Sequence, residues 1–155
     1  MVIRRFKESD AQEVSNLIAT TMMMSNIRDY AKEEMERLVR KHQPKDVIER
    51  ASQTHFYVVV KDEKIVGCGA IGSYLGKEDE SCLFTIFVLP EYQGKGIGRK
   101  IIETLEQDEY FLMAKRIEIP ASITAVNFYR KMGYDYKNGI DKVDEEQLYR
   151  LEKFR

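Results

Sequence analysis

Gln93 to Gly98 reads Gln-Gly-Lys-Gly-Ile-Gly, between a strand-like apolar run, Cys82 to Leu89 closed by Pro90, and a helical pattern that begins at Arg99. Glycines at alternate positions let the backbone turn so tightly that successive N–H groups face one space. The positive end of the following helix favours an anion there. Strand, glycine turn and helix in this order form a phosphate cradle and predict a ligand that carries a diphosphate.

Two common nucleotide motifs are excluded by spacing. A P-loop needs Gly, four residues, then Gly-Lys-Ser/Thr, but Arg99 stands where the second Gly belongs and Ile101 follows Lys100. A nucleoside triphosphate is therefore not expected. Gly67-Cys68-Gly69-Ala70-Ile71-Gly72 fits the dinucleotide fingerprint Gly-x-Gly-x-x-Gly, whose last Gly must sit inside a helix. Gly72 is followed instead by Ser-Tyr-Leu-Gly and the polar turn Lys77 to Ser81. Its glycines read as strand positions that mark a bend or a close approach of other backbone.

The 155 residues suit one domain, 1–155, with a single core. With 25 basic and 26 acidic residues the net charge is -1, so no overall field would hold nucleic acid or an anionic membrane. No apolar run approaches the ~20 residues of a bilayer span. Met1 to Phe6 leads into charged residues rather than a secretory segment, so a cytoplasmic protein is expected. Cys68 and Cys82 lack metal-site spacing and read as reduced, packed thiols, and no metal is expected.

Val2 to Phe6 is a strand candidate. Ser9 with Gln12 reads as a capping box opening a helix that ends near Met24. Ala31 to His42 repeats at helical spacing, and Pro44 begins a short helix with Val47, Ile48 and Ala51. His55 to Val60 and Ile65 to Tyr74 form a hairpin, and Cys82 to Leu89 reads as a central strand buried on both faces. After the cradle helix, Arg116 to Ile119 returns as a strand. Ser122 to Met132 is a helix stopped by Gly133, and Tyr134 to Lys137 pairs with Gln147 to Lys153.

The run Val88-x-Pro90, then Gln93-x-x-Gly96-x-Gly98, then an apolar-striped helix, resembles the acyl-CoA signature of the GNAT N-acetyltransferases. The order of elements matches that fold over nearly the whole chain. The resemblance implies an α/β (α+β) domain, with a mixed, mostly antiparallel sheet flanked by helices. It implies transfer of the acetyl group of acetyl-CoA, a co-substrate, to a primary amine of a small molecule or peptide, and a homodimer by family habit.

By the same resemblance the amides of Gly94, Lys95, Gly96, Ile97 and Gly98, with Gln93, would bind the pyrophosphate. The backbone of Ile86 and Val88 would pair with the pantetheine arm. Asn127-Phe128-Tyr129-Arg130-Lys131-Met132-Gly133-Tyr134 is similar to the family's Phe-Tyr-Glu-Lys-Leu-Gly-Phe stretch, which places Tyr129 where a tyrosine commonly protonates the departing sulfur. From ordinary pKa values near 10 and 8.5 that transfer is uphill by roughly 2 kcal/mol, within reach of general-acid catalysis. Ser122 replaces the Asn that often touches the cofactor, and its hydroxyl can cap a helix and still hydrogen-bond.

Many members carry a Glu on the strand before the cradle, where this chain has Cys82, so the motif assigns no general base. Glu78, Asp79 and Glu80 could act through water or form a solvated acidic turn. Ser25-Asn26-Ile27-Arg28-Asp29-Tyr30 and Ala121-Ser122-Ile123-Thr124-Ala125 are similar to segments of small bacterial GNAT proteins. They make Arg28, Asp29 and Tyr30 candidates for acceptor contacts, or a helix start capped by Asn26. The missing Glu motivates an alternative: a non-catalytic acyl-CoA-binding sensor of the same fold.

Overall fold

The structure is a computed structural model that describes residues 1–155. Its centre is a seven-stranded sheet in the order β1-β2-β3-β4-β5-β7-β6. The strands are β1 (Val2–Arg5), β2 (His55–Lys61), β3 (Lys64–Ser73), β4 (Glu80–Val88), β5 (Arg116–Ser122), β6 (Asp135–Tyr136) and β7 (Leu148–Phe154). All neighbours are antiparallel except β4 and β5. The helices are α1 (Ala11–Met24), α2 (Lys32–Arg40), α3 (Pro44–Gln53), α4 (Ile97–Leu105), α5 (Glu109–Met113) and α6 (Val126–Lys131). The mixed, mostly antiparallel sheet expected from the sequence is present.

The β3 glycines decide how the layers meet. A Cβ on Gly69 would stand 2.6 Å from Cγ2 of Ile101, and one on Gly67 would stand 3.2 Å from Cδ1 of the same residue. Their bare α-carbons let α4 lie directly on one face of the sheet. Gly72, of opposite parity, meets Thr54 and Phe84, so the end of α3 packs on the other face. The dinucleotide-like fingerprint is thus a strand, and its glycines serve helix-on-sheet packing.

Three local expectations differ from what forms. The Ser9/Gln12 box gives way to Asp10, whose carboxylate accepts from Lys7 N–H at 2.8 Å and from both terminal nitrogens of Arg4. Strand β5 runs on through Ser122, and α6 starts only at Val126. The Ser122 hydroxyl accepts from Ala125 N–H at 3.1 Å within the intervening turn, which mimics a helix cap at the level of sequence. The short α5 is an additional element, capped by Asp108, which accepts from Tyr110 N–H.

The parallel β4–β5 contact spans three residue pairs: Glu80 with Arg116, Ser81 with Ile117 and Cys82 with Glu118. Beyond Cys82 the strands diverge. At the last pair Glu118, 1% exposed, forms ion pairs with Arg116, with Lys137 at 2.9 Å and with Arg150 at 3.7 Å. Arg116 also bonds Glu80 and Glu152. Burial works against its charge, but three carboxylates outweigh that and raise its already high pKa further.

Candidate active site

Divergence of β4 from β5 opens a cleft of about 540 Å³ that runs from the glycine turn, past the free edge of β4, to α2 and the residues before β7. Its walls explain one difference from the sequence reading. Phe84 to Val88 are only half-buried, not sealed on both faces, because this half of β4 lines the cleft.

At one end lies the cradle. Gly94 and Gly96 have φ of 75° and 83°, and Gly96 is the residue from which α4 begins. A Cβ at either would meet nothing within 4 Å, so both face open space; the constraint on them is conformational. Gly98 has the opposite constraint, since its Cβ would come 3.1 Å from the ring of Phe128 on α6. Ile97 is buried in the core, and the Lys95 ammonium sits 5.4 Å over the Tyr92 ring. The Gln93 amide donates to Val88 O at 2.9 Å and to Ser25 Oγ at 3.2 Å, which ties the turn to β4 and to the end of α1. Gln93, Gly94, Gly96 and Gly98 line the cleft.

The middle of the cleft is the free edge of β4. Leu89 N–H donates to Val66 O on β3, so by alternation the backbones of Ile86 and Val88 face away from β3, into the gap. Between Phe84 and Phe87 the pairing with β3 slips, and Thr85 takes φ of 55°. A β-branched residue with positive φ in a strand is strained. Two contacts hold it: Arg50 of α3 donates to Thr85 Oγ1 at 2.7 Å, and the Cys68 thiol donates to Thr85 O at 3.2 Å. Nothing local marks Thr85, because a β-branched residue in an apolar run reads as ordinary strand.

Tyr129 of α6 lines the cleft, 6% exposed. Its hydroxyl makes no hydrogen bond within the protein. Since every fully buried polar side-chain atom has a partner, this oxygen is open to the cleft. Burial, with a smaller contribution from Cys68, pushes its pKa well above the ordinary tyrosine value. Ser122 also lines the cleft.

Of the acceptor candidates, Tyr30 reaches the cleft, whereas Arg28 and Asp29 do not. Tyr30 is a clamp: its hydroxyl accepts from Ile123 N–H at 2.8 Å and donates to Gln147 O at 2.9 Å. Asp29 accepts from Thr124 Oγ1, and Arg28 Nε donates to Ser25 O. The acidic turn Glu78 to Glu80 lies at the paired end of β4, outside the cleft. Burial pushes both thiols up to about 12, which leaves Cys68 and Cys82 inert as nucleophiles. No group of His, Cys, Asp and Glu is arranged to hold a metal ion, and no helix is long and apolar enough to cross a membrane.

A family model described as an acetyltransferase (GNAT) domain matches residues 52–136, from the end of α3 through β6. The chain belongs to the GNAT acetyltransferase family. Solved structures agree on the fold. This GNAT chain is 16% identical to the PaiA N-acetyltransferase of Thermoplasma acidophilum in complex with coenzyme A, with a TM-score of 0.84 over 99% of this chain and 98% of that one. A GCN5-related N-acetyltransferase of Rhodopseudomonas palustris is 20% identical, with a TM-score of 0.81 over 99% and 95%. A GNAT family acetyltransferase of Brucella melitensis in complex with acetyl-CoA is 21% identical, with a TM-score of 0.64 over 97% and 86%. No curated protein sequence matches the chain.

Proposed function

We propose that this GNAT protein moves the acetyl group of acetyl-CoA to a primary amine by direct attack. The observation that carries the reading is one continuous cleft joining a helix-opening glycine cradle, an unpaired strand edge and a free tyrosine hydroxyl. The diphosphate would lie on the amides of Gly94 to Gly98, where Gly94 and Gly96 leave open space. Pantetheine amides would pair with Ile86 and Val88 as an added strand, and Ser122 would add a hydroxyl. These positions lead the thioester towards the Thr85 bulge and Tyr129.

The neutral amine attacks the thioester carbon, the carbon–sulfur bond breaks, the Tyr129 hydroxyl gives its proton to the departing thiolate, and the proton shed by the amine nitrogen passes through water in the cleft to restore the tyrosine. Its raised pKa keeps the hydroxyl protonated until the thiolate departs, and also makes the transfer more uphill than ordinary tyrosine and thiol values give. The chemistry acts inside the cell on a small-molecule or peptide amine, and the chain works as a homodimer. CoA is expected to raise the melting temperature by about 5–10 °C at a hundredfold excess over its Kd, as binding linkage gives about 2.7 kcal/mol. Release of free thiol from acetyl-CoA in the presence of an amine checks the reaction. No binding at millimolar CoA defeats the reading.

One observation favours a second reading, a CoA-binding sensor without catalysis. The only carboxylates that line the cleft, Glu34 and Glu146, are both engaged by arginines. Tight acetyl-CoA binding with no transfer to any amine of a broad panel selects that reading.

A further inference from the structure

Beyond the Thr85 bulge the cleft is walled by Met35 and Leu38 of α2, Phe84 of β4, Pro120 of β5 and Leu148 of β7. Besides Arg99 on the cradle helix, its charged lining residues are Glu34, Arg37 and Glu146. Each of these carboxylates already has an arginine partner, and Glu146 shares its arginine with Asp144 and Glu118. Arg37 grips Glu34 through Nε, at 3.1 Å, and Nη2, and Glu146 accepts from Arg150 Nη2 at 2.9 Å. Asp29, Glu33 and Asp144 do not line the cleft, and the Tyr30 hydroxyl is spent on both sides.

A polycationic acceptor would bring a second ammonium into this half of the cleft, where each lining carboxylate already holds an arginine. An apolar body loses nothing polar there and gains contact with Leu38, Phe84 and Leu148. We infer that the acceptor is a small primary monoamine carried on an alkyl or aryl body, its nitrogen towards the bulge and its body against these side chains. The inference rests on the acetyl-transfer reading above and names its substrate class.

The experiment compares amines of matched length on the purified protein with acetyl-CoA, read by free-thiol release. From propylamine to hexylamine kcat/KM should rise about fourfold per methylene. Hexylamine and 2-phenylethylamine should exceed 1,6-diaminohexane and spermidine by at least about tenfold. Leu38→Glu should shrink or reverse that preference while acetyl-CoA affinity, measured by calorimetry, stays unchanged. Equal or better use of the diamine or spermidine, no gain with chain length, or an unaltered preference in Leu38→Glu overturns the monoamine inference. Transfer to spermidine or 1,6-diaminohexane but to no monoamine also overturns it, whereas acetyl-CoA binding with no transfer to any amine selects the sensor reading. Failure to bind acetyl-CoA at all defeats the transferase reading instead, so the two failures are separable.

Discussion

Tyr129 shows how little of a residue's chemistry is visible in its immediate sequence. The Phe-Tyr pair on a short helix fits a packed core tyrosine equally well, and it is the divergence of β4 from β5, far away in the chain, that leaves the hydroxyl facing a cleft. Tyr129→Phe removes one oxygen and little volume. It should lower kcat by about a hundredfold or more with little change in the KM for acetyl-CoA, and steady-state kinetics checks the split. Asp10 gives a pH-dependent counterpart. The Arg4 guanidinium and the Lys7 amide hold its carboxyl below the usual carboxylate range, with burial opposing them. A depressed folded pKa adds stability that is present above the unfolded value, near 3.9, and is lost as pH falls through the folded value. Asp10→Asn should therefore cost about 1–2 kcal/mol at pH 7. The difference from the parent protein should shrink as pH falls below about 3.9 and through the folded value in denaturant titrations run across pH.

At the scale of elements, the cradle and its helix form one device. Gly96 supplies the left-handed residue from which α4 starts, and Gly98 lets α4 approach Phe128 of α6, the helix that carries Tyr129. Gly96→Ala should cost about 1–2 kcal/mol from its φ alone, since its added methyl meets nothing. It should also weaken CoA binding; thermal melting and calorimetry measure the two effects separately. This device was the most legible part of the chain, because glycine is the residue whose positional requirement survives translation into sequence. The bulge was illegible for the converse reason. Thr85 has the local preference of a plain strand residue, and what overrides it, Arg50 and Cys68, comes from α3 and β3. Ser122 misled in a third way: its hydroxyl does bond a following amide, but in a turn that precedes the helix.

At the scale of the molecule, the order of elements along the chain and the two hairpin pairings followed from periodicity and punctuation, and the helix-flanked sheet from the family resemblance, whereas the seam between β4 and β5 did not. Glu118 sits in an apolar-looking strand, and its partners Arg116, Lys137 and Arg150 come from β5, the turn after β6 and β7. Glu118→Gln would take the buried carboxylate from the middle of this cluster: Arg116 keeps Glu80 and Glu152, Arg150 keeps Asp144 and Glu146, and Lys137 loses its one carboxylate partner. The substitution should destabilise the fold by about 3 kcal/mol, whereas Glu80→Gln, nearer the surface, should cost clearly less. Urea melts of the two variants compare them directly. The seam has a mechanical meaning as well. Any load path through the sheet from β1 to β7 crosses from β4 to β5 at three residue pairs and nowhere else. Under tension between its two ends, the sheet should part there first, into a half built of β1 to β4 and a half built of β5 to β7.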